Sequence, residues 1–273
     1  IAIQPTFSRE FYHGDSLARA SGAIRNIGSV GDMSNRNWLK KWLAGHWHTE
    51  LIPASPEPQT ELERNVEFIT KLSGVKHSVD YPKIETKEAW YDSEHGMQAF
   101  YVLVPSASLN SKKWPIDNFA ALAEKIYQRT SWNGVICGTK KEHFLGEDIL
   151  KKCNAPLKNT SGQTGLPELA GLLSQSQLII SNDTGTAHIA AAVGRTTVCI
   201  LGGGHFGRFA PYPDLPGQTK NFHSVYHKMA CYGCNWECVY SLKKNEPAPC
   251  VSNISVDAVW EKVEKLIEAS EVK

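Results

Sequence analysis

The chain has 273 residues, 41 % of them hydrophobic, with a formal net charge of +1. That is enough to bury one large core or two modest ones, and too balanced for charge alone to imply a polyanion or a bilayer surface as partner, so no nucleic acid is expected. No run approaches the eighteen or so apolar residues of a membrane span.

Ile1-Ala2-Ile3 already reads as a strand, which predicts an amino-terminal portion upstream of this chain. Up to about His95 only Ile1–Gln4 and Ala23–Ile27 read as strands, thin for a self-sufficient doubly wound layer. Asp15–Ser21 reads as a short helix ended by Gly22, and Arg9 follows the first strand as a surface arginine or an anion ligand. Trp38, Trp42 and Trp47 stand at spacings of four and five residues among Lys40, Lys41, His46 and His48. They suit a sugar or nucleic-acid platform less well than one buried helix face. From Thr60 to Ser73, Leu62, Val66, Ile69 and Leu72 recur at helical spacing before Gly74. Lys76 to Gly96 is polar and reads as an interdomain linker. The expected division is 1–95, the remainder of an amino-terminal domain with its linker, and 96–273, a second domain.

From Ala99 a regular alternation begins. Phe100–Val104 is a strand, Pro105–Pro115 a loop and Asp117–Arg129 a helix. Gly134–Cys137 is a strand, Glu142–Lys152 a helix, and Leu166–Gln175 leads into the central strand. Strand–helix alternation predicts a parallel sheet with ligands at its carboxyl edge.

Gln177–Gly204 is the stretch that carries the chemistry. Leu178-Ile179-Ile180 reads as a strand, Ser181–Thr186 as a tight turn, the Ala-rich segment as a helix stopped at Gly194, and Thr196–Leu201 as the next strand. Unpaired N–H groups of Thr184, Gly185 and Thr186 at a helix start, with the helix dipole, make a phosphate seat. His188 lies one turn in and leans back toward it. The plain alternatives are Asp183 as a helix cap and His188 as a core histidine. Ser108, Lys112 and Lys113 in the loop after Val104 suit phosphate oxygens. Glu142, after the second strand of this region, stands where a ribose hydroxyl could be met. Gly202-Gly203-Gly204 permits close backbone approach, or is a flexible loop.

Cys231, Cys234, Cys238 and Cys250 have spacing that permits a structural zinc, disulfides or reduced thiols. Four thiolates would leave such a zinc no open position for catalysis. Beyond them a closing helix spans 256–269, with Val259, Val263, Leu266 and Ile267 on one side, fit to close its own domain or to cross to the other.

Pro105-Ser106-Ala107-Ser108 with Lys112-Lys113-Trp114-Pro115, the Gly138–Glu142 loop, and Asp183-Thr184-Gly185-Thr186-Ala187-His188 followed by three alanines resemble the heptosyltransferases of glycosyltransferase family 9. The resemblance implies an α/β fold of the GT-B type, two Rossmann-like domains, here with the amino-terminal one incomplete. It implies metal-independent, inverting transfer of a heptose-like sugar from an ADP-heptose-like donor to a lipopolysaccharide or related glycolipid acceptor. The setting implied is cytoplasmic, with room for peripheral contact at the inner face of the inner membrane, and a monomer. Lys112 and Ser108 would meet donor phosphate and Glu142 the ribose. Asp183, Thr184, Gly185, Thr186 and His188 would surround the diphosphate and sugar. The family's catalytic aspartate follows its first strand, upstream of this chain, so no general base is assigned and the chain alone is expected to be inactive. Two rival readings stand beside this one: a nucleotide-sugar-binding module without catalysis, and a magnesium-dependent phosphohydrolase suggested by Asp183-Thr184-Gly185-Thr186. The acidic pair that the latter needs is not found downstream.

Overall fold

The computed structural model describes residues 1–86 and 99–271. They form two compact units, one of Ile1–Asp80 with Gly207–Phe209 and one of Tyr81–Phe206 with Ala210–Lys273. The boundary expected at residue 95 lies outside the described residues.

In the first unit β1 (Ala2–Gln4), β2 (Asn26–Ser29) and β3 (Glu50–Ile52) form a three-stranded parallel sheet in that order. The third strand carries too little periodicity to be read from sequence. A π-helical turn at Phe11–Asp15 leads into α1 (Ser16–Ala20), and Gly22 then takes the left-handed conformation that ends it. α2 (Trp38–Gly45) begins where Asn37 accepts the Lys40 N–H. Its tryptophans do not form a buried face: Trp38 is 72 % and Trp42 57 % exposed, and Ala44 is the buried residue of this helix. The two lysines are instead half-buried, and Lys41 Nζ donates to the Gly31 carbonyl at 2.9 Å. α3 (Glu61–Ser73) starts in a capping box, with the Thr60 N–H donating to Glu63 Oε2 at 2.7 Å, and stops at left-handed Gly74.

The second unit is built on a six-stranded parallel sheet in the order β6-β5-β4-β7-β8-β9. Its strands are β4 (Phe100–Val104), β5 (Asn133–Ile136), β6 (Leu157–Asn159), β7 (Leu178–Asn182), β8 (Thr197–Ile200) and β9 (Phe222–Val225). β6 and β9 are the outer strands, short and only partly apolar, and the alternation pattern does not reveal them. Every residue of β4 and β7 is buried, as expected of central parallel strands covered on both faces. Side-chain alternation divides the core. Tyr101, Leu103, Leu178, Ile180, Val198 and Ile200 meet α4 (Ile116–Thr130), α5 (His143–Leu150) and α9 (Val256–Glu271). Phe100, Val102, Val104 and Ile179 meet α6 (Leu166–Gln175) and α7 (Gly185–Ala192) on the other face. α9 packs Val259, Val263 and Ile267 into this unit's own core, and α8 (Pro249–Ser252) precedes it. No described helix is long and apolar enough to cross a membrane.

The order of the sheet sets the place of the site. From β4 the chain moves outward through β5 and β6, then returns to β7 on β4's other side and moves out through β8 and β9. The direction of winding therefore reverses between β4 and β7. A crevice opens at such a reversal, beyond the carboxyl ends of the two strands.

Candidate functional site

Two loops leave the sheet at that reversal, one after Val104 and one after Asn182, and a buried asparagine locks them together. Asn182 is fully buried; its Nδ2 donates to the Pro105 carbonyl at 2.8 Å and its Oδ1 accepts the Trp114 N–H at 3.0 Å. Trp114, 1 % exposed, donates its indole N–H to the Ile254 carbonyl at 2.7 Å. The loop is thus pinned at both ends, and Lys112, two residues before Trp114, is delivered to the turn that follows β7.

Lys112 Nζ lies 3.3 Å from Asp183 Oδ2, with the side chains 11 % and 7 % exposed. The other carboxylate oxygen, Oδ1, is 3.9 Å from His188 Nε2. Asp183 therefore holds an ammonium and faces an imidazole from its two sides. Helix α7 starts beside them with Thr184 as its first flanking residue, and no side chain caps it. Gly185 has nothing within 4 Å of where a Cβ would sit, so the mouth of the helix is open rather than plugged. Uncapped N–H groups, a helix dipole and a nearly buried ammonium together favour a bound anion.

His188 is enclosed on its other sides. Its ring stacks on Phe222 with centroids 5.0 Å apart and on Tyr212 at 5.6 Å, and its Nδ1 lies 2.8 Å from the Tyr212 hydroxyl. Burial is the largest influence on it and pushes its pKa down; Asp183 pulls it up and Lys112 adds to the lowering. With its pKa lowered, the imidazole is neutral at neutral pH and carries a single N–H. Burial also pushes the Tyr212 phenol up to about 12.

The remaining expected residues make no side-chain contact with this group. Ser108 is exposed on the same loop as Lys112. Thr184 Oγ1 lies 3.4 Å from Ser181 Oγ, and Thr186 is half-buried in the first turn of α7. Glu142 closes a capping box, its Oε2 accepting the Thr139 N–H at 3.0 Å and the Thr139 hydroxyl at 2.7 Å. One of its oxygens is thereby committed to starting the helical segment behind β5.

The triple glycine is neither a flexible loop nor a bare ligand cradle. Gly202, Gly203 and Gly204 are buried, and a Cβ on each would sit 2.3–2.5 Å from the rings of Trp236 or Tyr232. The close approach is thus made by the Cys-rich segment, whose Gly233 and Asn235 N–H groups donate to the Gly203 and Gly204 carbonyls at 2.8 and 2.9 Å. This docking brings Trp236 to the site, where its ring lies 4.7 Å from Lys112 Nζ. Cys231, Cys234, Cys238 and Cys250 are free thiols. Cys250 is pushed up chiefly by burial, and the other three thiols add to the effect. Among the described residues no three His, Cys, Asp or Glu side chains are arranged to hold a metal ion.

Asn182, Tyr212, Phe222 and Trp236 went unnoticed in the sequence. A polar residue ending an otherwise apolar strand was the available signal for Asn182. The other three come from segments with no periodicity, brought in by tertiary packing alone.

A parallel sheet that reverses its order between β4 and β7, with a cation, a carboxylate, an imidazole and an open helix start at that edge, defines a Rossmann-like ligand-binding domain. The profile of glycosyltransferase family 9 (heptosyltransferase) matches residues 37–238, and the chain belongs to that family. A lipopolysaccharide core heptosyltransferase of Haemophilus influenzae is 31 % identical over 47 % of this chain and 36 % of its own length. Lipopolysaccharide heptosyltransferase 2 of Escherichia coli is 32 % identical over 44 % of this chain and 35 % of its own length. Each match thus spans about a third of the relative's length. The fold is the GT-B type of α/β fold seen in solved structures. The ADP-heptose lipopolysaccharide heptosyltransferase II of E. coli superposes with a TM-score of 0.68 at 17 % identity, covering 98 % of this chain and 76 % of that one. A family 9 glycosyltransferase of Veillonella parvula gives 0.69 at 18 %, covering 96 % and 72 %.

Proposed function

We propose that this chain is the donor-binding part of an inverting bacterial glycosyltransferase that moves a heptose-like sugar from an ADP-heptose-like donor to a lipopolysaccharide or related glycolipid acceptor. The observation that carries the reading is the Lys112–Asp183–His188 group beside the uncapped start of α7 at the β4/β7 reversal. The donor diphosphate lies over the amides of Thr184, Gly185 and Thr186, with Lys112 shared between its oxygens and Asp183. An acceptor hydroxyl, deprotonated by a general base, attacks the anomeric carbon, and the nucleoside diphosphate leaves with the bonding pair. Negative charge grows on the diphosphate in that step. Lys112, the His188 N–H and the helix-start amides are placed where such growth is stabilised, so they contribute to rate as well as to binding. Ser108 extends the phosphate contacts, Glu142 meets the ribose through its remaining oxygen, and no cofactor is required.

The reaction takes place on the cytoplasmic side, at the inner face of the inner membrane, in a monomer whose acceptor-side residues are 1–95 and whose donor domain is 96–273. Calorimetry and thermal shift with ADP-, GDP- and UDP-sugars test this reading. A donor at a hundred times its Kd should raise stability by about 2.7 kcal/mol, and Lys112→Ala should abolish that gain. If no nucleotide sugar stabilises the chain, or if Lys112→Ala binds as well as wild type, the reading fails. Release of phosphate on adding magnesium would point to the phosphohydrolase instead.

A further inference from the structure

We infer that Tyr212 is a positioning residue that selects the tautomer of His188 and so aims its Nε2 proton at the anion seat. The inference rests on the proposed donor site but reaches a residue outside the motifs that define it.

A neutral imidazole carries one proton, and which nitrogen holds it decides whether His188 donates to an incoming anion or repels it with a lone pair. Two groups face the ring nitrogens. Asp183 Oδ1 lies 3.9 Å from Nε2, and a carboxylate can only accept, so it favours the proton on that side. The Tyr212 hydroxyl lies 2.8 Å from Nδ1 and can donate or accept. With Nε2 protonated, Nδ1 has a lone pair and Tyr212 donates to it. Both neighbours are then satisfied by one tautomer. The phenol is held as a neutral donor, since burial raises its pKa to about 12, and it is only 7 % exposed, so water does not compete freely for the bond. The ring has little freedom to escape this choice. Phe222 and Tyr212 stack on it with interplanar angles of 15° and 22°, and Tyr212 itself stacks on Phe222 at 4.4 Å. The arrangement has the logic of a base oriented by a third group, with a phenol at Nδ1 in place of the usual carboxylate.

Long-range 1H–15N correlation spectra of the histidine-labelled chain test the tautomer, with and without Tyr212→Phe, which keeps the stacked ring and removes the hydroxyl. In the wild type, Nδ1 should show the shift of an unprotonated acceptor and Nε2 that of an N–H. In Tyr212→Phe the two shifts should move toward each other as both tautomers become populated. Donor affinity should fall about three- to tenfold, the value of one lost hydrogen bond. The same substitution in a His188→Ala background should cost no further affinity, because Tyr212 acts through His188. Nδ1 found protonated in the wild type, or unchanged shifts in the variant, would overturn the assignment, as would an additive double-mutant cycle. If no nucleotide sugar binds at all, the donor reading falls while the spectra still decide the tautomer.

Discussion

The two units close parallel sheets of the same kind over interiors of opposite chemistry. In the second unit β4, β7 and β8 lie between layers of aliphatic and aromatic side chains. In the first, Ile27, Ile52 and Phe68 form a small apolar cluster, and Arg9, Asp15, Arg36 and His48 are buried to 8 % exposure or less. Asp15 is the centre of the charged group, its Oδ1 3.3 Å from Arg9 Nε and its Oδ2 3.1 Å from Arg36 Nη1. The arrangement is incompletely satisfied. His48 Nδ1 lies 2.8 Å from the Ala44 carbonyl and 3.3 Å from Arg9 Nη1, and cannot donate to one while accepting from the other. Arg36 Nε and His48 Nε2 find no hydrogen-bond partner. Burial lowers the Arg9 pKa to about 10, against the opposing pull of Asp15. An aliphatic interior tolerates loss of one contact among many. A charged one depends on every partner being present.

The largest expected effect follows from that dependence. Asp15→Ala strips two buried guanidinium groups of their shared carboxylate, leaving Arg9 unpaired and Arg36 with the weaker pull of Asp32, and should cost the first unit about 3–5 kcal/mol. Leu103→Ala, which opens a cavity in the second unit, should cost about 2–5 kcal/mol. Hydrogen exchange read peptide by peptide separates the two: Asp15→Ala should release amides around β2, and Leu103→Ala those of β4 and β7. Loss of protection in β4 and β7 from Asp15→Ala would break the contrast. Replacing Arg9, Asp15 and Arg36 together by aliphatic residues of similar volume should be far less damaging than Asp15→Ala alone, because no charge is left stranded.

The same contrast explains what could be read from the sequence. In the second unit β4 occupies the predicted residues and α4 runs one residue further at each end, because long apolar stripes bury continuous faces there. In the first unit polar residues do interior work, so patterning misleads. Arg9 reads as a surface arginine and is 1 % exposed, while Trp38 reads as core and is 72 % exposed. At the site, the residues legible in advance are those on local motifs: Lys112, Asp183 and His188 do meet. Their partners are not legible, since Tyr212 and Trp236 reach the site through long-range packing that leaves no periodic trace.

A smaller effect should come from the glycine triplet, where the second unit's tolerance runs out. A Cβ at Gly203 would lie 2.3 Å from the Tyr232 ring. Gly203→Ala must therefore push the Cys-rich segment outward, at about 1–3 kcal/mol for an overpacked contact. Trp236 should become more exposed, read as a red shift of its fluorescence, and Cys250 should react faster with a thiol reagent. Donor affinity should weaken too, because the Trp236 ring no longer backs Lys112. Unchanged thiol reactivity would show that the segment is held by something other than this contact.

The smallest expected effect is a dependence on acid. Burial is the first cause of the lowered pKa of His48 in the first unit and of His188 and His223 in the second. In the unfolded chain these histidines take up a proton near pH 6.5; in the folded chain they do so only at lower pH. Between the two the unfolded state binds more protons, so stability is full above pH 6.5 and declines as pH falls through it. His48 faces Arg9 and Arg36, which lower its pKa, and Asp15, which raises it, so its protonation adds a cation to a site that already holds two. His48→Gln keeps a polar group without the titration. Melting curves at pH 7.5 and 5.5 should show a smaller drop for His48→Gln than for wild type, the remainder coming from the second unit's two histidines. An equal drop in both proteins would place the whole acid sensitivity in the aliphatic unit and remove the charged interior from the account.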